Sequence, residues 1–142
     1  GYIVVNGNLN ISSNTTINGN IFLICSGNIT ISNSQIGTGL GSAVITYSKG
    51  VADYNNSTVY GLIISKGNSL ELDGSTVYGA ILNYSSSFSL VGDSDITGSV
   101  ISNSSVDFQG NDASITRGNI PTFLGLNIGL DPIVVPGSYL EY

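Results

Sequence analysis

Short apolar stretches alternate with polar corners at a regular spacing along most of the chain. A β-branched residue followed two positions later by glycine recurs, as in Val59-Tyr60-Gly61 and Val77-Tyr78-Gly79. The β-branched positions are 17, 36, 59, 77, 96 and 115, so successive copies lie 19, 23, 18, 19 and 19 residues apart. The copies at 36 and 115 are weaker, because glycine follows them after one and three positions. A short period of this kind is the sequence signature of a repeat architecture.

Each copy predicts several short strands. An apolar pair follows the glycine position, and we align Val44-Ile45, Ile63-Ile64 and Ile81-Leu82 as equivalent pairs. A later segment, such as Leu70-Glu71-Leu72, alternates with a period of two, which is the strand signal. Corners rich in Ser, Asn, Asp and Gly separate these segments, as turns require.

The repeat predicts an all-β fold, a parallel β-helix (β-solenoid) of about six rungs with 18–19 residues per rung, over residues 1–118. A β-sandwich of many short strands is the alternative. The fixed period favours the solenoid. The longer step of 23 predicts that residues 37–42 form a loop that bulges from one rung.

Alternation along the strands predicts which side chains face outward. If Val59 points into the core, Tyr60 points out, and Tyr78 should stack on it from the next rung. Leu62 falls on the same outer face. An outward aromatic ladder suits stacking on a sugar ring or docking on a flat protein surface, although such a ladder also stiffens a sheet. Tyr60, Tyr78 and Leu62 are therefore the candidate binding residues.

The glycines that follow these β-branched residues have the parity of inward positions. Gly19, Gly61, Gly79 and Gly98 each precede another inward residue by two positions. A missing side chain there narrows the core or lets the chain bend at a corner.

The last 24 residues, 119–142, depart from the repeat and contain all three prolines. Proline cannot donate to a strand ladder, so we predict that this segment ends the stack and caps the last rung. The alternative is strand donation to the first strand or to a neighbouring subunit, because open sheet edges invite pairing. The candidate assembly residues are Ile133, Val134 and Val135 in the tail and Ile3, Val4 and Val5 in the first strand.

Composition narrows the function. Only 8% of the residues are charged, the net charge is −6, and the chain has three basic residues, so nucleic acid is not indicated as a partner. The longest apolar runs are about five residues, against the roughly 20 that span a bilayer, so no membrane segment is predicted in this chain. A neutral surface rich in Asn and Ser suits an exported protein.

Few residues offer catalytic or metal chemistry. The chain has no histidine and a single cysteine, Cys25, which lies in an apolar run and is predicted to be a buried thiol. Asp93, Asp95 and Asp112 fall near corners, but calcium needs six or more oxygens, and solvated turn residues are the favoured interpretation. The sequence therefore predicts a non-enzymatic protein with no catalytic residue, metal or cofactor. The Asn-x-Ser/Thr sequons are Asn10, Asn14, Asn28, Asn55, Asn56, Asn83 and Asn103.

Two resemblances add to this interpretation. Gly7-Asn8-Leu9-Asn10-Ile11 and Gly27-Asn28-Ile29-Thr30-Ile31 resemble the Gly-Asn-Leu-Thr-Ile rungs of PilX-type pilus-associated proteins. The stretch from Pro132 to Glu141 resembles the end of those proteins, with Tyr139 and Leu140 where Trp and a basic residue are usual. This resemblance implies a β-solenoid carried on a type IV pilin helix.

The segment Val59-Tyr60-Gly61-Leu62-Ile63 also resembles the Val-x-Gly-x-Ile rungs of bactofilins, which polymerise end to end. We therefore expect an extracellular structural or adhesive module, a minor-pilin-like component of a pilus or surface filament. Its partners would be other pilus or filament subunits, further copies of itself, or surface glycans. The alternative is a self-polymerising filament subunit joined through solenoid ends or tail strand exchange.

Overall fold

The computed structural model describes residues 1–39 and 41–119, and these residues form β-strands without a helix. Accordingly, no helix in this part of the chain is long and apolar enough to cross a membrane. The strands are β1 (Tyr2–Val5), β2 (Leu9–Ile11), β3 (Thr16–Ile17), β4 (Ile21–Cys25), β5 (Ile29–Ser32), β6 (Gln35–Ile36), β7 (Val44–Ser48), β8 (Ala52–Asn55), β9 (Thr58–Ser65), β10 (Ser69–Asp73), β11 (Thr76–Asn83), β12 (Ser87–Val91), β13 (Asp95–Ser102), β14 (Val106–Phe108) and β15 (Ser114–Thr116).

Parallel strands stack into two sheets that enclose one core. The first sheet has nine strands, with the main order β1-β4-β7-β9-β11-β13-β15 and with β3 and β6 joined at its side. The second sheet has six strands in the order β14-β12-β10-β8-β5-β2. The chain crosses between the sheets once in each direction per rung. The predicted β-solenoid of about six rungs is therefore confirmed.

Equivalent residues of successive rungs stack in columns. Val59 pairs with Val77, which pairs with Ile96, and all three are fully buried. In the second sheet Leu70 pairs with Ala52 on one side and with Phe88 on the other. Parallel rungs lie about 4.8 Å apart, so each inward side chain contacts its own equivalent above and below. The repeat period thereby becomes a continuous apolar core.

A column of glycines lets the backbones of neighbouring strands in the first sheet approach closely. β9, β11 and β13 each run for eight residues through a central glycine: Gly61, Gly79 or Gly98. A Cβ atom on any of the three would collide with the backbone carbonyl of the residue stacked beneath it. The three glycines are buried, and their missing Cβ makes room for the backbone of the neighbouring rung. Gly19 differs, because nothing lies within 4 Å of its Cβ position.

The alignment of one apolar pair was wrong. Val44 pairs with Gly61, and Thr46 pairs with Ile63, so the Val44-Ile45 pair is offset by two residues from Ile63-Ile64. After the insertion, which ends at Ser42, strand pairing resumes at Val44. Val44 is paired with Gly61, two residues before the Ile63 position that the sequence alignment gave it. Thr46 consequently points into the core, where its hydroxyl lies 2.7 Å from the Tyr54 hydroxyl.

The loop predicted at residues 37–42 leaves the rung as expected. Within it, an isolated antiparallel bridge joins Gly39 to Ser42. The side chains of Thr38 and Ser42 both donate to Oδ1 of Asn18 in the first rung, at 2.9 and 2.6 Å. The loop is thus held against the side of the solenoid.

A column of buried serines, absent from the sequence-based prediction, fixes one corner. Ser34, Ser57, Ser75 and Ser94 occupy equivalent positions in four rungs and are 7% exposed or less. The backbone N–H of each of the first three donates to Oγ of the next, at 3.2, 3.0 and 3.2 Å. These hydrogen bonds join neighbouring rungs through side chains as well as through the ladder.

The predicted C-terminal segment begins at Asn119, and its residues from 120 onward lie outside the described residues. The same is true of the predicted assembly residues Ile133, Val134 and Val135. The solenoid itself continues to Thr116 in β15.

Candidate binding surface

The predicted tyrosine ladder is present on the outer side of the first sheet. Tyr60 and Tyr78 are register partners, with ring centroids 4.9 Å apart and ring planes 14° from parallel. Both side chains are half-buried, and Thr97 follows them in the same column. The predicted outward orientation and stacking are confirmed. The two rings form one aromatic platform about two rungs long.

Leu62 lies on the predicted face but offers little surface. It points outward beside Tyr60, yet it is only 4% exposed. Its neighbours in a small cluster are Ala43, Ile45 and Ala80, which are also buried. A ligand on the tyrosine platform would therefore contact the ring faces far more than Leu62.

A polar concavity, which the sequence did not predict, lies beside this platform. Its volume is about 340 Å³, and its lining residues are Asn14, Thr15, Thr16, Asn33, Ser34, Gln35, Asn56 and Thr58. Thr58 lies two residues before Tyr60 in β9, so both side chains project from the same side of that strand. Hydroxyl and amide groups are thereby placed next to an aromatic surface. The only sequence signal was the clustering of Asn and Ser at the corners.

The first sheet also has an extensive outer apolar surface. Its outward-facing members are stacked over four rungs. Phe22, Ile24, Tyr47, Ile64 and Leu82 are half-buried, whereas Ile45, Leu62 and Ala80 are 8% exposed or less. Phe22 and Ile24, with Ile45, Tyr47 and Ile64, line a concavity of about 320 Å³. Consecutive apolar residues, as in Ile21–Cys25, signal a strand that is apolar on both faces.

The outer side of the second sheet has the opposite character. Its central column runs through Thr30, Asp53, Glu71 and Ser89, and each is the register partner of the next. Asp107 continues the column in β14. Three acidic side chains in one column make this face polar and anionic.

The solenoid ends expose residues of the inward columns. Ile3 in the first rung is 46% exposed, and Phe108 and Ile115 in the last rung are 50% and 40% exposed. Of the predicted assembly residues in β1, Ile3 and Val5 are register partners of the buried Leu23 and Cys25. Val4 is the partner of Ile24 and faces outward. Their proposed role in assembly stays a prediction.

The remaining candidate chemistry is local. Cys25 is fully buried, as predicted, and its thiol lies within hydrogen-bonding distance of the Gly7 carbonyl. Across residues 1–39 and 41–119 no group of three or more acidic, cysteine or histidine side chains is arranged to hold a metal ion. The side chain of Asp95 instead accepts a hydrogen bond from Ser114.

One sequon is closed by the fold. Asn83 is 1% exposed, and its Nδ2 donates to the hydroxyls of Ser102 and Ser104 at 3.0 Å each. A glycan on that nitrogen is incompatible with this arrangement.

Comparison of the chain with protein-family profiles, curated proteins and solved structures gave no significant match. The resemblances to PilX-type proteins and to bactofilins therefore stay predictions based on short motifs.

Proposed function

We propose that this protein is a non-enzymatic structural and adhesive module of the cell surface, a component of a pilus or surface filament. We further propose that it binds surface glycans on the Tyr60–Tyr78 platform. The observation that supports this most directly is the pair of parallel tyrosine rings beside a concavity lined by Asn, Gln and Thr. Sugar rings present an apolar face and a rim of hydroxyls. The tyrosine rings complement the apolar face, and the polar concavity offers hydrogen-bonding partners for the hydroxyls.

The platform is held rigidly. Tyr60 and Tyr78 lie in β9 and β11, which pair with each other over eight residues. Their inward neighbours Val59 and Val77 are fully buried in the core. A ligand therefore meets rings that lose little conformational freedom on binding, which favours affinity.

The proposed location rests on composition. With 8% charged residues, the outer surface is hydrated mainly by Asn, Ser and Thr. Such neutral side chains keep their hydrogen bonds to water across a range of salt and pH. This property suits a protein exposed outside the cell.

A glycan array probed with the full chain and with the double variant Tyr60→Ala/Tyr78→Ala tests the proposed site. Signals on individual glycans should fall at least tenfold in the double variant, because stacking on each ring is lost. Tyr84→Ala is the matched control, since Tyr84 is 56% exposed and follows the end of β11, outside the platform. Glycan signals that persist in the double variant would exclude the platform as the site.

A second candidate, a self-polymerising filament, is favoured by the ends of the solenoid. β14 and β15 in the last rung each pair with one described strand, and so do β1 and β2 in the first. Exposed inward residues at both ends, Ile3 and Phe108, would be covered if the last rung of one copy met the first rung of the next. A head-to-tail contact of this kind repeats without closing, so it forms filaments.

Electron microscopy and sedimentation across a range of concentrations separate the two candidates. Filaments that grow with concentration and disappear in Phe108→Lys would support polymerisation. A monodisperse particle at all concentrations would exclude it.

A further inference from the structure

One wall of the polar concavity is a column of neutral side chains on the outer side of the first sheet. Thr16, Gln35 and Thr58 are register partners in β3, β6 and β9, and all three line the concavity. Neighbouring rungs lie about 4.8 Å apart. The wall therefore runs along the solenoid axis, and its last member stands two residues before Tyr60 in β9.

The other wall is a column of three amides at the corner before those strands. Asn14, Asn33 and Asn56 each stand two residues before a strand of the first wall, with φ of 61°, 48° and 46°. The same corner in the next two rungs is Gly74 and Gly92, with φ of 55° and 60°. Glycine thus satisfies this left-handed backbone without any side chain, yet the chain keeps amides in the three rungs that line the concavity.

Most of the polar groups in these walls are available to a ligand. Of the eight lining residues, Thr15, Ser34 and Gln35 use a side-chain group in a hydrogen bond with another described residue. Within residues 1–39 and 41–119, the side chains of the other five, three asparagines and two threonines, have no such partner. Amides and hydroxyls both donate and accept hydrogen bonds, as the hydroxyls of a sugar do. The two walls therefore match an uncharged, hydroxyl-rich ligand.

Charged side chains are placed against an anionic ligand. None of the eight described lining residues is charged. Lys49 and Lys66 follow β7 and β9, at the corner where the chain leaves the first sheet, whereas the concavity lies where the chain enters that sheet. Arg117 follows β15 in the last rung. Asp53 lies in β8, three residues before Asn56, and the net charge is −6. An anion in the concavity would meet repulsion and no neighbouring basic side chain.

We propose that this site selects uncharged glycans and rejects those that carry carboxylate or sulfate groups. This inference rests on the proposed function, since it names the class of glycan that the platform and the concavity bind. An anionic group placed there loses hydration without gaining a charge-assisted hydrogen bond to a cation. The volume of about 340 Å³ lies at the lower end for small-molecule sites, which span about 300–1,000 Å³, so the site suits the end of a short glycan.

The test compares pairs of oligosaccharides of equal length and linkage, in which one member carries a 6-hydroxymethyl group and the other a 6-carboxylate. Binding of the full chain to both members is measured on a glycan array and by titration calorimetry. Thr16→Lys places a cation at the concavity, because Thr16 is exposed and lines it. Thr116→Lys is the matched control, since it makes the same charge change at an exposed position in the last rung. Circular dichroism verifies folding of each variant.

We expect the uncharged member of each pair to bind about tenfold more tightly than the acidic member, or better. Thr16→Lys should narrow that difference, whereas Thr116→Lys should leave it unchanged. Equal or tighter binding of the acidic members, lost in Tyr60→Ala/Tyr78→Ala, would overturn this inference and leave the proposed site intact. An equal effect of the two lysine variants would assign the preference to net charge and would overturn it as well. Absence of binding to either class would overturn the proposed glycan binding together with this inference.

Discussion

The carbonyl oxygen of Gly61 occupies the space in which Gly79 would carry a Cβ atom. The same relationship joins Gly79 to Gly98 one rung later. Each glycine lets the backbones of two neighbouring rungs approach closely in the middle of an eight-residue strand. These rungs can therefore stack at their observed spacing only if glycine occupies the column.

Substitution of the central glycine should destabilise the solenoid strongly. In Gly79→Ala the new methyl group meets the Gly61 carbonyl, and the φ of 150° at this position strains any L side chain. We expect the free energy of unfolding to fall by about 3 kcal/mol or more. Urea unfolding followed by circular dichroism measures this loss. Gly41→Ala, where nothing lies within 4 Å, is the matched control and should change stability little.

The buried serine column should contribute measurably to stability. Oγ of Ser75 accepts from the Ser57 N–H at 3.0 Å and donates to the Tyr54 carbonyl at 2.9 Å. Ser75→Ala leaves both buried backbone groups without these partners, at a cost of about 1–3 kcal/mol. Thermal and urea unfolding should show this loss, whereas Ser87→Ala on the exposed side of β12 should be near neutral. Equal stability of the two variants would refute a structural role for the column.

Tyr54 should make the protein sensitive to high pH. Desolvation by burial raises the pKa of Tyr54 well above its ordinary value of 10.0, and its hydrogen bond with Thr46 opposes only part of that rise. Above about pH 10 the unfolded chain loses this proton while the folded chain keeps it, so stability falls as pH rises. The loss should approach about 1.4 kcal/mol per pH unit.

Urea unfolding between pH 8 and pH 11.5 measures that slope. Tyr54→Phe starts from a lower stability, because Thr46 loses its hydroxyl partner, but it should lack the Tyr54 contribution to the decline. An identical slope in the two proteins would contradict this origin.

Two like charges on the acidic face should oppose folding slightly. Asp53 and Glu71 are register partners on neighbouring rungs, with both side chains on the outer side of the second sheet. Glu71→Gln removes this repulsion, and we expect a gain of about 0.5 kcal/mol at low salt that shrinks in 1 M salt. Asp107→Asn is the control, because Asp107 is paired with Ser89 rather than with an acid. A gain of the same size in both variants would point to net charge rather than to this pair.

Much of the fold was predictable because a solenoid repeats one local solution. The period, the inward column of Val59 and Val77, and the stacked tyrosines all follow from sequence spacing and strand alternation. The alignment of Val44-Ile45 was wrong because the insertion before it has no counterpart in the other rungs. The sequence therefore does not show at which residue strand pairing resumes. The site was predictable only in part. The tyrosine ladder follows from alternation, whereas the polar concavity gathers residues from three rungs.

The sequence by itself determined the solenoid, its approximate rung count and the outward tyrosines, because these depend on distances of one period along the chain. Only the tertiary structure decided which polar residues are buried. Ser75 and Asn83 have the composition of ordinary turn residues, yet stacking of rungs removes both from water and assigns their hydrogen-bonding partners. Tertiary structure also revealed an apolar outer surface. Whether an apolar residue lies inside or outside depends on register between rungs, and register is a property of the assembled stack.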